Sequence, residues 1–280
     1  MIGVVAGLFD AGLDLTAADL IVGTSAGSTA AAQLAGGSPS ELFAAALTSP
    51  QQDGSSGPVR SQGPAPSDTN PGAPVKNHLA TVLAVIASAA DQADMRRRMG
   101  AAALELDAQS DGSWSTRWRT IVAARLAQED WPDRTVLITA VDARTGAPVV
   151  FDRHSGVDLV DAVAASCSSS LPYRIGADRY IDGGYRRNEN ADLAAGRERV
   201  LVLSPFGGRT LHPLEWGMQL SAQVEELRAG GSRVQTIVPD SDSEHLFGRN
   251  AMQLSLRPAA ARAGYDRGGA LAEQLREFWQ

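Results

Sequence analysis

The chain has 280 residues, 44% of them hydrophobic, 20% charged and 5% aromatic, enough apolar material for one sizeable core or two modest ones. With 25 basic against 32 acidic side chains the formal net charge is −7 and the isoelectric point about 5.1, a sign that argues against binding phosphate polymers, so nucleic acid is not an expected partner. Cys167 is the single cysteine, which excludes an intramolecular disulfide and a thiolate metal cage.

Residues Met1 to Gly12 place Ile2, Val5, Ala6 and Phe9 at helical spacing and stop at Ala11-Gly12, so they predict a helix. This stretch lacks a cationic region followed by a long apolar run, so no secretory signal is visible, and the expected location is the cytoplasm. Leu20-Ile21-Val22 predicts a short buried strand, Gly23 to Gly27 a tight turn, and the alanine-rich Ser28 to Leu34 a helix ending at Gly36-Gly37. Between about residues 49 and 77 the composition shifts to Pro, Gly, Ser, Gln and Asp, with few large apolar side chains to offset the entropy of ordering, so a flexible insertion within a single domain spanning 1–280 is expected. Leu79 to Leu106 and Trp114 to Gln128 predict helices, the second broken at Trp131-Pro132. The apolar run Leu79 to Ala90 is too short for the roughly 20 residues that cross a bilayer.

Further along, Val136 to Val141 predicts a buried strand, Asp142 to Gly146 a turn, Val149 to Phe151 a strand, and Val157 to Cys167 a helix of small residues. Tyr180-Ile181 leads into Asp182-Gly183-Gly184, Val200 to Leu203 and Arg233 to Val238 predict strands, and Leu214 to Ala229 and Arg257 to Trp279 predict helices. Strands alternating with helices at this spacing predict an α/β fold with a central, mostly parallel sheet flanked by helices.

Two short motifs carry chemistry. Gly23-Thr24-Ser25-Ala26-Gly27 fits Gly-x-Ser-x-Gly between a strand and a helix, where a serine on a sharp turn projects its hydroxyl and the helix amino end favours a developing oxyanion. The bland alternative is a glycine-bounded turn with a helix-capping serine. A serine hydroxyl needs a base to take its proton, and that base must be His, Asp or Glu. His78, His154, His212 and His245 fall in polar loop or helix-start contexts, and each reads as an exposed loop residue. His245 stays open as the base of an ordinary α/β-hydrolase triad, although that fold places several strands before its elbow. Asp182 sits at a predicted strand end with two glycines behind it that allow close backbone approach, so a carboxylate base is preferred. Arg186-Arg187 could meet a phosphate group and Arg96 to Arg98 an anionic membrane, but both read more simply as solvated surface. Cys167 reads as packing within a small-residue helix.

The pair Gly-x-Ser-x-Gly at 23–27 and Asp-Gly-Gly at 182–184 resembles the patatin-like phospholipases. Ile2 to Gly12 resembles that family's first helix, Ala162 to Cys167 its helix before the aspartate motif, and Asn190-Ala191-Asp192 the segment after it. The resemblance covers residues 1 to about 205 and implies a three-layer α/β/α domain. It also implies Ser25 as nucleophile, Asp182 as general base, a lipid or acyl-ester substrate, contact with a membrane surface, and no metal or cofactor. Family members carry a strand and a glycine-rich oxyanion loop before the first helix. The chain starts within that helix, so these are expected upstream of Met1, and without them an unpaired sheet edge is expected at Leu20 to Val22. A catalytically impaired lipid-binding or regulatory protein on the same scaffold is the competing expectation. Ser168 to Pro172 replaces the family's usual proline-bearing loop and leaves the pocket shape open.

Overall fold

The computed structural model describes residues 1–48, 73–247 and 253–279. Its organising element is strand β2 (Thr135–Asp142), whose apolar residues alternate between two faces. Val136, Ile138 and Ala140 point to one face and pack with α2 (Ala26–Gly36), α6 (Ser113–Ala123) and α7 (Leu159–Ser166). Val141 points to the other, where α4 (Ala73–Ser88) and α5 (Gln92–Ala108) cover it together with Ile181. Helices on both faces of a sheet make the layered α/β/α arrangement that the sequence predicts.

The sheet is mixed, which corrects the expectation of a mostly parallel one. β1 (Leu20–Gly23) runs parallel to β2. β3 (Pro148–Phe151) and β5 (Asp178–Asp182) run antiparallel to β2, and β4 (Tyr173–Ile175) antiparallel to β5. The physical reason is the length of the connections. The turns after Asp142 and after Ile175 span only a few residues, which suffices for a hairpin, whereas a parallel crossover needs a dozen or more.

The registers fix a further feature. Ile138 pairs with both Gly23 and Phe151, and Ala140 with both Asp182 and Val149. A residue has only two edges, so β3 occupies one edge of β2 while β1 and β5 share the other. β1 covers the first half of that edge and β5 the second, running in opposite directions, so their carboxyl ends meet opposite Thr139.

β6 (Arg199–Leu203) and β7 (Arg233–Ile237) form a separate parallel pair. Val200, Val202 and Val234 pack on α8 (Leu220–Ala229), while Leu201, Leu203 and Ile237 face α1 (Ile2–Asp10) and α9 (Arg257–Trp279). Among the described residues β1 has one strand partner, β2, and β6 has one, β7, so the edge at Leu20 to Val22 is unpaired as expected. Helices α1 and α9 touch backbone to backbone. A Cβ at Gly3 would stand 2.0 Å from the Ala261 carbonyl oxygen, and one at Gly7 2.1 Å from that of Tyr265, so only glycine permits this approach.

Several element boundaries differ from the sequence reading. The predicted helix Leu79 to Leu106 is two helices. The Asp91 side chain accepts from the Asp94 amide at 2.7 Å and Asp94 accepts from the Ala90 amide at 3.1 Å, a reciprocal cap that ends one helix and starts the next. A helix α3 (Pro39–Leu47), with proline at its first position, precedes the predicted insertion. That insertion lies outside the described residues up to position 72, and its final residues open α4. No helix among the described residues is long and apolar enough to cross a membrane.

Candidate active site

β1 delivers the chain into a turn that few residues tolerate. Ser25 has φ 51° and ψ −124°, a region that costs a non-glycine residue on the order of 1–3 kcal/mol. The strain turns the chain sharply from strand to helix, leaving Ser25 half-buried and Ala26 exposed at the amino end of α2. Gly23 makes the fold-back possible, since a Cβ there would lie 2.6 Å from the Ser28 Cα. Gly27 is not crowded in this way, its nearest neighbour being the Met1 sulfur at 3.9 Å.

Because β5 ends against the same edge of β2, its last residue meets that turn. Ser25 Oγ donates to Asp182 Oδ2 at 2.7 Å, bridging 157 residues of sequence. The second carboxylate oxygen accepts from the Gly184 amide at 2.8 Å. Asp182 is only 8% exposed, and burial pushes its carboxyl up from 3.8 to about 6, against the opposing pull of the Gly184 and Ser25 hydrogen bonds. Gly183 is required by close approach, for a Cβ there would fall 2.2 Å from Thr139 Oγ1 and 2.4 Å from the Thr139 carbonyl oxygen. Gly184 is less crowded but still tight, since a Cβ there would lie 3.1 Å from Asp182 Oδ1 and that carboxylate would have to shift by a few tenths of an ångström.

Helix α7 ends on the same turn. The Ser25 amide donates to Ser166 Oγ at 2.9 Å, and the Cys167 thiol donates to the Ser25 carbonyl at 3.1 Å. Burial, together with the Asp182 charge, pushes that thiol up to about 11. On the opposite side, Thr24 Oγ1 accepts from Thr139 Oγ1 at 3.0 Å and from Asn190 Nδ2 at 2.9 Å. The sequence reading missed Ser166 and Thr139. A signal for Thr139 was present, as the only polar residue in the apolar run Val136 to Val141.

Other residues singled out in the sequence lie elsewhere or are otherwise engaged. His245 is exposed, with Nδ1 2.9 Å from the Asp242 carbonyl oxygen, and His154 is exposed as expected. His78 departs from its reading as a loop residue. It is half-buried on α4, with burial lowering its pKa, and its Nε2 lies 3.4 Å from Tyr185 Oη, which donates to the Ser169 carbonyl at 2.5 Å. His212 is likewise half-buried, paired with Thr210. Arg186 and Arg187 are not solvated surface. Arg186 pairs with Asp192, and Arg187 with Asp192 and Glu226, both side chains mostly buried. Arg97 and Arg98 are half-exposed partners of Asp94, and Arg96 donates to the Gly146 carbonyl. Among the described residues no group of three or more His, Cys, Asp or Glu side chains is arranged to hold a metal ion.

Chemically, the arrangement offers a hydroxyl already sharing its proton with a buried carboxylate of raised pKa, at the amino end of a helix. A search of curated proteins finds no match. A family model described as patatin-like phospholipase matches residues 1–195, a span that contains both the Ser25 turn and the Asp182 turn. With well over half its length matched, the chain belongs to the patatin-like phospholipases, a family of lipid acyl hydrolases.

Proposed function

We propose that this chain hydrolyses acyl esters of lipids through a dyad of Ser25 and Asp182. The observation that carries the reading is the 2.7 Å hydrogen bond from Ser25 Oγ to a carboxylate whose pKa burial raises to about 6. An ordinary carboxylate is too weak a base for a serine hydroxyl. Raising its pKa toward neutrality strengthens it while leaving most of it ionised at pH 7.

In the first step Asp182 accepts the Ser25 proton as Oγ forms a bond to the ester carbonyl carbon. The tetrahedral intermediate collapses with the proton passing to the leaving alkoxide, which departs as the alcohol and leaves an acyl-serine. In the second step Asp182 takes a proton from water, the resulting oxygen attacks the acyl carbon, and the proton returns to Ser25 as the fatty acid leaves. In this reading the amide of Ala26, first in α2, donates to the oxyanion, with the helix dipole adding to it. Contact with a lipid surface belongs to the same proposal. Leu79 and Leu83 stand exposed one turn apart on α4, the helix whose His78 reaches Tyr185 just beyond the aspartate.

A fluorophosphonate probe, which reacts only with an activated serine, tests the reading. Labelling is expected at Ser25, with loss in both Ser25→Ala and Asp182→Asn, alongside loss of lipid-ester turnover. Lipid binding by an unlabelled protein supports instead a non-catalytic role on the same scaffold.

A further inference from the structure

Two turns that must be held in mutual register belong to strands that do not pair with each other. β1 and β5 meet end to end on the edge of β2, so no ladder hydrogen bond fixes the separation of Ser25 and Asp182. The end of α7 touches both, Ser166 Oγ accepting from the Ser25 amide at 2.9 Å and the Ser168 carbonyl just after it from the Asp182 amide at 2.9 Å, and on the opposite side one side chain spans the gap. Asn190 is fully buried and holds a left-handed backbone, φ 51° and ψ 34°. Its Nδ2 donates to Thr24 Oγ1 at 2.9 Å and to the Arg187 carbonyl at 2.7 Å, and it lies 3.2 Å from the Gly183 carbonyl and 3.3 Å from Thr139 Oγ1.

Thr24 precedes Ser25 and Gly183 follows Asp182, so this one amide reaches the flank of both groups. Its carbonyl end is fixed too. Asn190 Oδ1 accepts from Arg186 Nη1 at 2.6 Å, and Arg186 is itself held by Asp192. The next backbone amide, that of Ala191, donates to Gln223 Oε1 at 2.8 Å. Every polar atom of the Asn190 side chain is therefore partnered, which gives a buried amide a single orientation. The left-handed backbone at 190 aims the side chain into this gap, and asparagine is among the few residues other than glycine that adopt it readily.

We infer that Asn190 is a positioning residue that holds the Ser25 turn and the Asp182 turn at hydrogen-bond distance by bridging Thr24 to the Gly183 and Arg187 carbonyls, with Thr139 as its relay on β2. The inference rests on the proposed dyad. Asn190 touches neither reacting atom and acts through its grip on both turns. Its loss lowers the turnover step rather than substrate binding, because the substrate contacts remain while the nucleophile and base lose their alignment.

The test compares the parent with Asn190→Ala by amide hydrogen exchange and by turnover per phosphonate-titrated Ser25. Exchange is expected to accelerate over 23–27 and over 182–185 together while β6 and β7 stay unchanged. A displacement near 1 Å lowers kcat about 100-fold, and KM is expected to stay within about threefold of the parent. A kcat within about twofold of the parent, acceleration in only one of the two turns, or a uniform rise across the chain overturns the inference. Thr139→Val, which removes the relay hydroxyl, decides the matter where Asn190→Ala does not accumulate as folded protein. Coupled acceleration of the two turns supports the bridge, and parent-like exchange overturns it. If the parent is not labelled at Ser25 the hydrolase reading falls, and exchange alone then decides whether the two turns are coupled through Asn190.

Discussion

Replacing Asp182 by asparagine separates the cost of the buried charge from the shape of the site. Asparagine keeps an oxygen for the Gly184 amide and presents an N–H to Ser25 Oγ, so the two hydrogen bonds at 2.8 and 2.7 Å have counterparts of reversed polarity at the serine. What disappears is the ionisation. The folded carboxyl titrates near 6 rather than its ordinary 3.8 because burial penalises the charge. Between those values the folded chain holds a proton that the unfolded chain has released. The carboxyl therefore contributes stability below pH 3.8 that is lost as pH rises through about 6. About two units at 1.36 kcal/mol each make roughly 3 kcal/mol, of which about 2 kcal/mol falls between pH 4.5 and 7.5. Urea unfolding followed by tryptophan fluorescence on parent and Asp182→Asn reads this directly, since the chain carries five tryptophans. The variant is expected to gain about 2 kcal/mol on the parent across that range while losing its turnover. In the parent, kcat/KM is expected to rise with pH and to be half-maximal near 6, where the base becomes ionised. A stability difference that stays constant within about 0.5 kcal/mol from pH 4.5 to 7.5 would refute the buried-charge argument and, with it, the account of how Asp182 becomes a base.

Gly183→Ala drives a methyl group into Thr139 and moves Asp182 away from Ser25, so phosphonate labelling should disappear with a stability loss of about 3 kcal/mol in urea. Gly3→Ala forces α1 off α9 at the Ala261 carbonyl, and the melting temperature should fall by about 6–12 °C, with turnover per folded molecule retained at temperatures below the transition. The Cys167 thiol, partly buried and raised to about 11, should react with a disulfide reagent at neutral pH far more slowly in the folded chain than in the unfolded one, a difference readable as absorbance with and without urea.

Much of the site could be read from short sequence signals. The run Leu20 to Val22 before Gly-x-Ser-x-Gly, and alanines after it, sufficed for strand, turn and helix because each step is a local backbone preference. Asp182 was legible for the same reason: an apolar pair before an aspartate and two glycines marks a strand end. Strand direction was not legible. Parallel and antiparallel buried strands share the same apolar runs, and only the tertiary pairing shows that β5 opposes β2. The break at Ala90-Asp91 was hidden by continuous helical periodicity on either side, although Asp91 and Asp94 carry the cap that makes it. Ser166, Thr139 and Asn190 act through hydrogen bonds spanning 141, 115 and 166 residues of sequence, distances over which no local pattern reports a partner.

The backbone contact between α1 and α9 has a consequence for the order in which the chain can fold. Gly3 and Gly7 find their partners at Ala261 and Tyr265, and at 5–20 residues per second a ribosome takes roughly 10–50 s to make the intervening stretch. Throughout that interval the helix leading into the nucleophile strand has its glycine-lined face uncovered, and the segment after it lacks a firm support. The docking of α1, and the support it lends to the segment entering β1, therefore waits until Ala261 and Tyr265 have been made.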